Sequence, residues 1–144
     1  MKEILTIDQG TTSSRSIIFN ESLEIVQESQ KEYDLSFPKD GWVEADADDI
    51  LNSVKETLNN VFMSSKSLSN IVSCGITNQR ESTVIWDKST GKAIYPVIIW
   101  QDRRTSELCN SLRQDNTITK MVSEKTGLLV DPYFSATKIK WILD

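Results

Sequence analysis

The chain contains no histidine. That absence excludes a Ser-His-Asp triad, a Cys-His pair and a His-ligated zinc site built from this chain alone. Acid–base chemistry must use carboxylates here, or residues from elsewhere. Cysteine is scarce. Cys74 and Cys109 are far apart, form no CxxC pair and stand among apolar neighbours, so both read as buried or half-buried thiols. Basic charge is also short: 16 Lys and Arg against 21 Asp and Glu give a net charge of -5. Nucleic acid and anionic membranes reward a basic face, so neither is expected as the main partner. No apolar run reaches membrane-spanning length and the first residues lack a signal-peptide pattern, which predicts a cytoplasmic protein. There is no repeat, linker or low-complexity segment.

What is present suits an ordinary globular domain: 144 residues, 38% hydrophobic and 26% charged, enough chain to bury a core. The pattern predicts strands over 4–8, 15–19 and 23–30, joined by turns at 9–13 and 20–22, as an antiparallel meander. After a loop holding Pro38 and Gly41, Ile50, Leu51, Val54, Leu58, Val61 and Phe62 repeat at the helical period. Asp46 is placed to cap that helix, and Asp48 and Asp49 fall in its first turn, where the helix dipole favours anions. A buried strand is predicted over 71–77, a hairpin over 83–95 turning at 87–91, and a short strand over 97–100. Helices are predicted near 102–114, 117–126 and 135–143. A meander followed by alternating helices and strands is an α/β arrangement with a partly parallel sheet.

Four segments hold candidate chemistry. In Asp8-Gln9-Gly10-Thr11-Thr12-Ser13-Ser14-Arg15, the spacing is neither that of a P-loop nor that of a Rossmann fingerprint. Gly10 still permits close backbone approach, Thr11, Thr12 and Ser13 offer hydroxyls and N–H groups to anionic oxygens, and Arg15 adds a positive charge. Asp8 is a candidate ligand for hydrated Mg²⁺, which takes one or two carboxylates and completes its shell with water and phosphate. A plain hairpin turn would use the same residue types. Beyond the strand at 71–77, Arg80 donates and Glu81 accepts, a pair suited to polyol hydroxyls but equally ordinary as a solvated strand end. In Trp100-Gln101-Asp102-Arg103-Arg104, the Trp100 ring suits the C–H edge of a polyol. The plainer reading has Trp100 in the core, Asp102 capping a helix and both arginines in solvent. Asp131-Pro132-Tyr133-Phe134-Ser135 reads as a turn entering a helix, with Ser135 a fair N-cap and Tyr133 an aromatic with a polar tip.

Taken in order, DQGTTSSR, GWVE, GITNQRE, WQDRRT, KTGL and DPYFSATKIKWIL closely resemble the N-terminal region of the FGGY family of carbohydrate kinases. The resemblance runs over residues 4–144. The first motif is shared across that family, whereas ITNQRE, WQDRRT and DPYFSATKIKWIL point to glycerol as the sugar-like substrate. The resemblance implies a ribonuclease-H-like core within an actin-like, hexokinase-like ATPase fold, incomplete in this chain. Residues 1–144 would be the N-terminal part of the first kinase domain, with the rest of that domain and the C-terminal domain outside them. It implies ATP-dependent phosphorylation of glycerol to sn-glycerol 3-phosphate in glycerol catabolism, with ATP and Mg²⁺ as cofactors. Thr11, Thr12, Ser13 and Arg15 match phosphate-contacting positions and Asp8 falls at the metal. Arg80, Glu81 and Tyr133 match glycerol-contacting positions, and Trp100 matches an aromatic wall.

The resemblance also implies a homo-oligomer for the full-length protein. It puts the catalytic base beyond Asp144, so the 144 residues alone are expected to be inactive and to self-associate through an uncovered sheet edge. One local departure is Ala45-Asp46-Ala47, where many relatives have His-Asp-Pro; Asp46 and the helix behind it are retained. Two alternatives stand beside the kinase: a non-catalytic remnant that binds a polyol or phosphate, and a purely structural domain in which Arg80, Glu81, Trp100 and Tyr133 are unrelated in space.

Overall fold

The computed structural model describes residues 2–65 and 67–144. In chain order the elements are β1 (Glu3–Gln9), β2 (Ser13–Asn20), β3 (Ile25–Glu32), β4 (Leu35–Ser36), β5 (Glu44–Ala45), α1 (Ala47–Ser64), a 3₁₀ turn (Leu68–Asn70), β6 (Ile71–Asn78), β7 (Val97–Ile98), α2 (Ser106–Arg113), α3 (Asn116–Thr126) and α4 (Ser135–Leu143). They divide into two compact units. Residues 1–35 and 46–79 form one, and residues 36–45 and 80–144 form the other.

The first unit is a four-stranded sheet of order β3-β2-β1-β6 carrying α1. β1, β2 and β3 form the predicted antiparallel meander, and β6 returns parallel to β1 through the helical crossover. Leu5, Ile18 and Val61 make its buried cluster, with Leu58, Phe62 and Ile71 packed around them. Each such side chain contributes about 1.5–3 kcal/mol when fully buried. Asp46 caps α1, its Oδ1 accepting from the N–H of Asp48 at 2.7 Å and of Asp49 at 3.2 Å.

The predicted apolar face of α1 meets the core through Leu58, Val61 and Phe62, but most of its fully buried positions are polar. Its buried positions are Ser53, Thr57 and Val61, while Leu51 is 48% exposed. The N-terminal part of the helix packs through hydroxyls: Ser14 bonds Ser53 at 2.8 Å and Ser16 bonds Thr57 at 2.8 Å, all four side chains buried. Ser53 and Thr57 donate onward to the carbonyls of Ile50 and Val54, so the hydroxyls are paired although they are out of water. Small side chains on both surfaces let helix and sheet come close.

A second correction concerns β6. It forms where expected but is exposed along most of its length, with Ile76 at 74% and Val72 at 58%. The strand lies at the sheet edge, and among the described residues no element covers it. Cys74 is exposed for the same reason; Cys109, on the inner side of α2, is buried as expected.

In the second unit, the small sheet has the order β4-β5-β7, with β5 and β7 antiparallel. The hairpin over 83–95 is short. Trp86 bridges Ala93, and Asp87 closes the turn by accepting from the N–H groups of Ser89 and Thr90. Thr83 pairs instead with Ile98, extending the small sheet. α2 begins later than predicted, at Ser106, after Asp102 and Arg104, which are drawn into the ion-pair cluster described below. α3 is capped by Asp115 and ends at Gly127, whose φ of 72° suits a residue without Cβ. α4 spans its predicted range. No helix among the described residues is long and apolar enough to cross a membrane.

Candidate functional site

The predicted phosphate loop joins β1 to β2 in the first unit. Gly10 N–H donates to the Ser13 carbonyl at 2.9 Å and closes the turn. A Cβ at Gly10 would stand 3.1 Å from that same carbonyl oxygen, which explains the glycine. The turn is tied from the side. Tyr33 Oη donates to the Gly10 carbonyl at 2.6 Å, and Gln79 Nε2 reaches that carbonyl, Gln9 Oε1 and Tyr33 Oη within 3.3 Å. Burial pushes the Tyr33 phenol above its ordinary pKa, while its bonds with Gln9 and Gln79 pull the other way. The loop is thus held from β1, β6 and the segment after β3, a rigidity that a bare hairpin turn does not need.

Within it, Thr12 is exposed and Ser13 accepts from Gln30 at 3.0 Å. The sheet register sets Asp8 directly between Arg15 of β2 and Thr77 of β6. Asp8 therefore stands at the carboxyl ends of two parallel strands, on the face opposite α1, where ligands of α/β sheets gather. Arg15 donates to Gln30 across the neighbouring strand. Among the described residues no cluster of three or more metal-ligating side chains exists. A lone exposed carboxylate beside hydroxyls fits an ion that keeps most of its water and takes other oxygens from phosphate, as Mg²⁺ does.

The predicted polyol residues all fall in the second unit. Glu81 has a φ of 62°, a left-handed conformation uncommon for a non-glycine residue. Its carboxylate reaches the start of α4, Oε2 accepting from Ser135 N–H at 3.2 Å and from Ser135 Oγ at 3.1 Å. Ser135 is therefore the first helical residue rather than the N-cap, and the carboxylate of Glu81 meets the positive end of the helix. Tyr133 lies edge-on to Trp100, with ring centroids 5.9 Å apart, and to Phe134 at 5.2 Å. Trp100 N–H donates to Ser82 Oγ at 3.0 Å, which joins the ring-bearing segment to the residue next to Glu81. Arg80 is exposed beside Glu81. Glu81, Trp100 and Tyr133 thus belong to one neighbourhood, and Arg80 adjoins it along the chain.

Pattern reading missed several groups that hold this neighbourhood. Asp131 accepts from Arg103, from Arg113 and from the N–H of Tyr133, fixing the loop before α4. Lys138 is fully buried and donates to the carbonyls of Glu81 at 2.9 Å and Tyr133 at 2.6 Å. A signal for it existed: Lys138 is four residues after Phe134 and three before Trp141, a spacing that puts it on one helix face with both rings.

Neither sequence reading of Asp102 and Arg104 holds. Asp102 accepts from Val43 N–H at 2.7 Å and from both the backbone N–H and the guanidinium of Arg104, and it is not the N-cap of α2, which is Thr105. Arg104 is not solvated. Its side chain is fully buried, pairs with Glu44 and Asp102, and lies 3.8 Å above the Trp42 ring and 4.7 Å from that of Trp141. Burial works against the charge, but the two carboxylates outweigh it and raise the pKa further. Only Arg103 stays largely exposed.

The fold and these motifs define a class. Residues 3–144 match the model of the FGGY family of carbohydrate kinases, N-terminal domain, and the chain belongs to that family. Within it the chain is 54% identical to a glycerol kinase of Alteromonas mediterranea and 57% identical to one of Streptococcus pyogenes, each over 144 residues and 99% of this chain. It spans only 29% and 28% of the length of those relatives. The crystal structure of Plasmodium falciparum glycerol kinase with ADP superposes with a TM-score of 0.89 at 35% identity, covering 99% of this chain and 29% of that one. Gluconate kinase from Lactobacillus acidophilus gives a TM-score of 0.88 at 20% identity over 99% of this chain and 28% of that one, a likeness of fold alone.

Proposed function

We propose that this chain is the N-terminal portion of a glycerol kinase, which transfers the γ-phosphoryl group of ATP to glycerol, giving sn-glycerol 3-phosphate and ADP. The observation that carries the reading is the grouping of Glu81, Trp100 and Tyr133, with Arg80 beside them, in one unit of a family whose members phosphorylate carbohydrates. The identity with glycerol kinases narrows the class to glycerol, and the similar Plasmodium structure described with ADP supports an adenine nucleotide.

Phosphoryl transfer asks little covalent chemistry of the protein. It needs a positioned nucleophile, neutralised charge and excluded water. Arg80 donates to glycerol oxygens. Glu81 accepts from a hydroxyl through Oε1, since Oε2 is held by Ser135. Trp100 and Tyr133 pack against the carbon edge. In the loop, the hydroxyls and N–H groups of Thr11, Thr12 and Ser13, together with Arg15, meet phosphate oxygens. Asp8 would hold hydrated Mg²⁺, which neutralises phosphate charge when bound. The hydroxyl proton leaves to a carboxylate, and the family resemblance puts that base outside these residues. The full-length enzyme is cytoplasmic and homo-oligomeric in this reading.

The test is a kinase assay on the longest protein that carries this chain, with ATP, Mg²⁺ and a panel of polyols. Activity on glycerol that is lost in Arg80→Ala supports both the reaction and the site. A folded protein inactive on every polyol overturns the reading in favour of a binding remnant.

A further inference from the structure

Lys138 is an expensive residue for its position. An ammonium out of water costs several kcal/mol unless it is well paired. Yet among the described residues Lys138 forms no ion pair. Its partners are two backbone carbonyls, those of Glu81 and Tyr133, which belong to distant parts of the chain. An apolar side chain would fill this inward position of α4 without that cost. What the ammonium adds is direction: one group fixes two carbonyl orientations at once.

Both carbonyls belong to residues whose side chains matter in the proposed site. Glu81 holds a left-handed φ of 62°, a conformation that needs outside support. Ser135, three residues before Lys138 on the same helix, holds the Glu81 carboxylate through its N–H and hydroxyl. α4 therefore grips Glu81 by side chain and backbone together, and grips Tyr133 through Lys138.

We propose that Lys138 is a positioning residue for glycerol: it holds Glu81 and Tyr133 in one fixed relative placement, so that the carboxylate and the ring meet the substrate together. This rests on the reading of those residues as glycerol contacts. Burial lowers the pKa of Lys138 to about 8, against the attraction of Asp102, Glu81 and Asp131; Arg103 adds to the lowering. A neutral amine donates weaker hydrogen bonds than an ammonium. The grip on both carbonyls consequently relaxes as the amine loses its proton.

The experiment uses the longest protein that carries this chain, unmodified and as Lys138→Met and Lys138→Arg. KM values for glycerol and for ATP are measured at about pH 7 and about pH 9.5, on either side of the Lys138 pKa of about 8. For the unmodified protein the glycerol KM rises by about tenfold at the higher pH, the loss expected from weakening a charge-assisted hydrogen bond, while the ATP KM stays nearly level. In Lys138→Met the glycerol KM is already raised at the lower pH and rises no further. Lys138→Arg recovers part of the loss and keeps it at the higher pH. A folded Lys138→Met protein with an unchanged glycerol KM overturns the proposal, as does an ATP KM that rises in step. If Lys138→Met does not fold, a glycerol KM of the unmodified protein that is flat across the two pH values overturns it. An unmodified protein that does not phosphorylate glycerol at the lower pH removes the proposed function and this inference together, whereas the other outcomes leave that function standing.

Discussion

Arg104 and Asp102 are joined by two near-parallel hydrogen bonds, Nε to Oδ1 at 3.0 Å and Nη2 to Oδ2 at 2.9 Å, and neither side chain reaches solvent. The fork is one side of a cage. Glu44 takes a further bond from Nη2 at 2.7 Å, and Trp42, Tyr95 and Trp141 surround the guanidinium. The cage connects the GWVE segment, the WQDRR segment and the end of α4. Arg104→Met leaves two carboxylates buried without their cation and is expected to destabilise the protein by about 3–5 kcal/mol. Arg104→Lys recovers less than half, because an ammonium cannot reproduce the planar fork. Urea denaturation followed by tryptophan fluorescence measures both; a loss below about 1 kcal/mol in Arg104→Met, the ceiling for an exposed pair, would contradict the cage.

The cap of α1 makes a smaller and cleaner prediction. Asp46 satisfies two N–H groups at the helix start. Asp46→Ala should cost about 1 kcal/mol, and Asp46→Ser or Asp46→Asn should restore most of it. Thermal unfolding of the three variants under one buffer decides the matter.

Lys138 predicts how stability depends on pH. Its pKa in the folded protein is about 8, below the ordinary value of 10.5, so between those values the unfolded chain holds the proton and the folded chain does not. Stability rises with pH wherever the unfolded state binds more protons. The contribution of Lys138 is therefore fully present above the ordinary value and is lost as pH falls through about 8. The difference in unfolding free energy between the unmodified protein and Lys138→Met should shift in favour of the unmodified protein as pH rises across this window. A shift of opposite sign would mean that the ammonium is stabilised where it lies.

The exposed edge strand predicts association of the isolated 144-residue chain. β6 presents Val72 and Ile76 at a sheet edge, and such edges pair with other chains. Light scattering should show self-association at high concentration, reduced in Ile76→Lys. A clean monomer at every concentration counts against it.

The same isolated chain should not turn over. The residues proposed to bind glycerol and phosphate are within it, but the family resemblance puts the catalytic base elsewhere. Glycerol-dependent formation of ADP by the purified 144-residue chain would show that a carboxylate within it can serve as base.

Much of the fold was legible in order and type. β1 and β2 hold short apolar runs bounded by turn residues, and α4 follows a turn and carries apolar residues at helical spacing; local patterns suffice for such elements. The candidate site was legible as a set of names through the family motifs, not through any single spacing. What escaped concerns who faces whom. Apolar periodicity counted Leu51 as core, yet Ser53 and Thr57 hold that place because Ser14 and Ser16 stand opposite them. A hydroxyl is tolerated in the interior when a partner is in reach, and the partners here come from another strand.

Burial follows the same rule. The apolar run of β6 states a capacity to be covered, not that a cover exists. Local reading puts Arg104 in solvent, makes Asp102 a helix cap and singles out nothing at Lys138. Each is buried because the folded chain brings it carboxylates, rings or carbonyls from distant segments. The order of amino acids was enough to establish the longer elements, their sequence along the chain and the family, but not the two-residue strands β4 and β5. Which charged groups are hidden, and which of them hold Glu81 and Tyr133 in place, depended on long-range pairing, because the cost of burying a charge is offset only by partners that folding assembles.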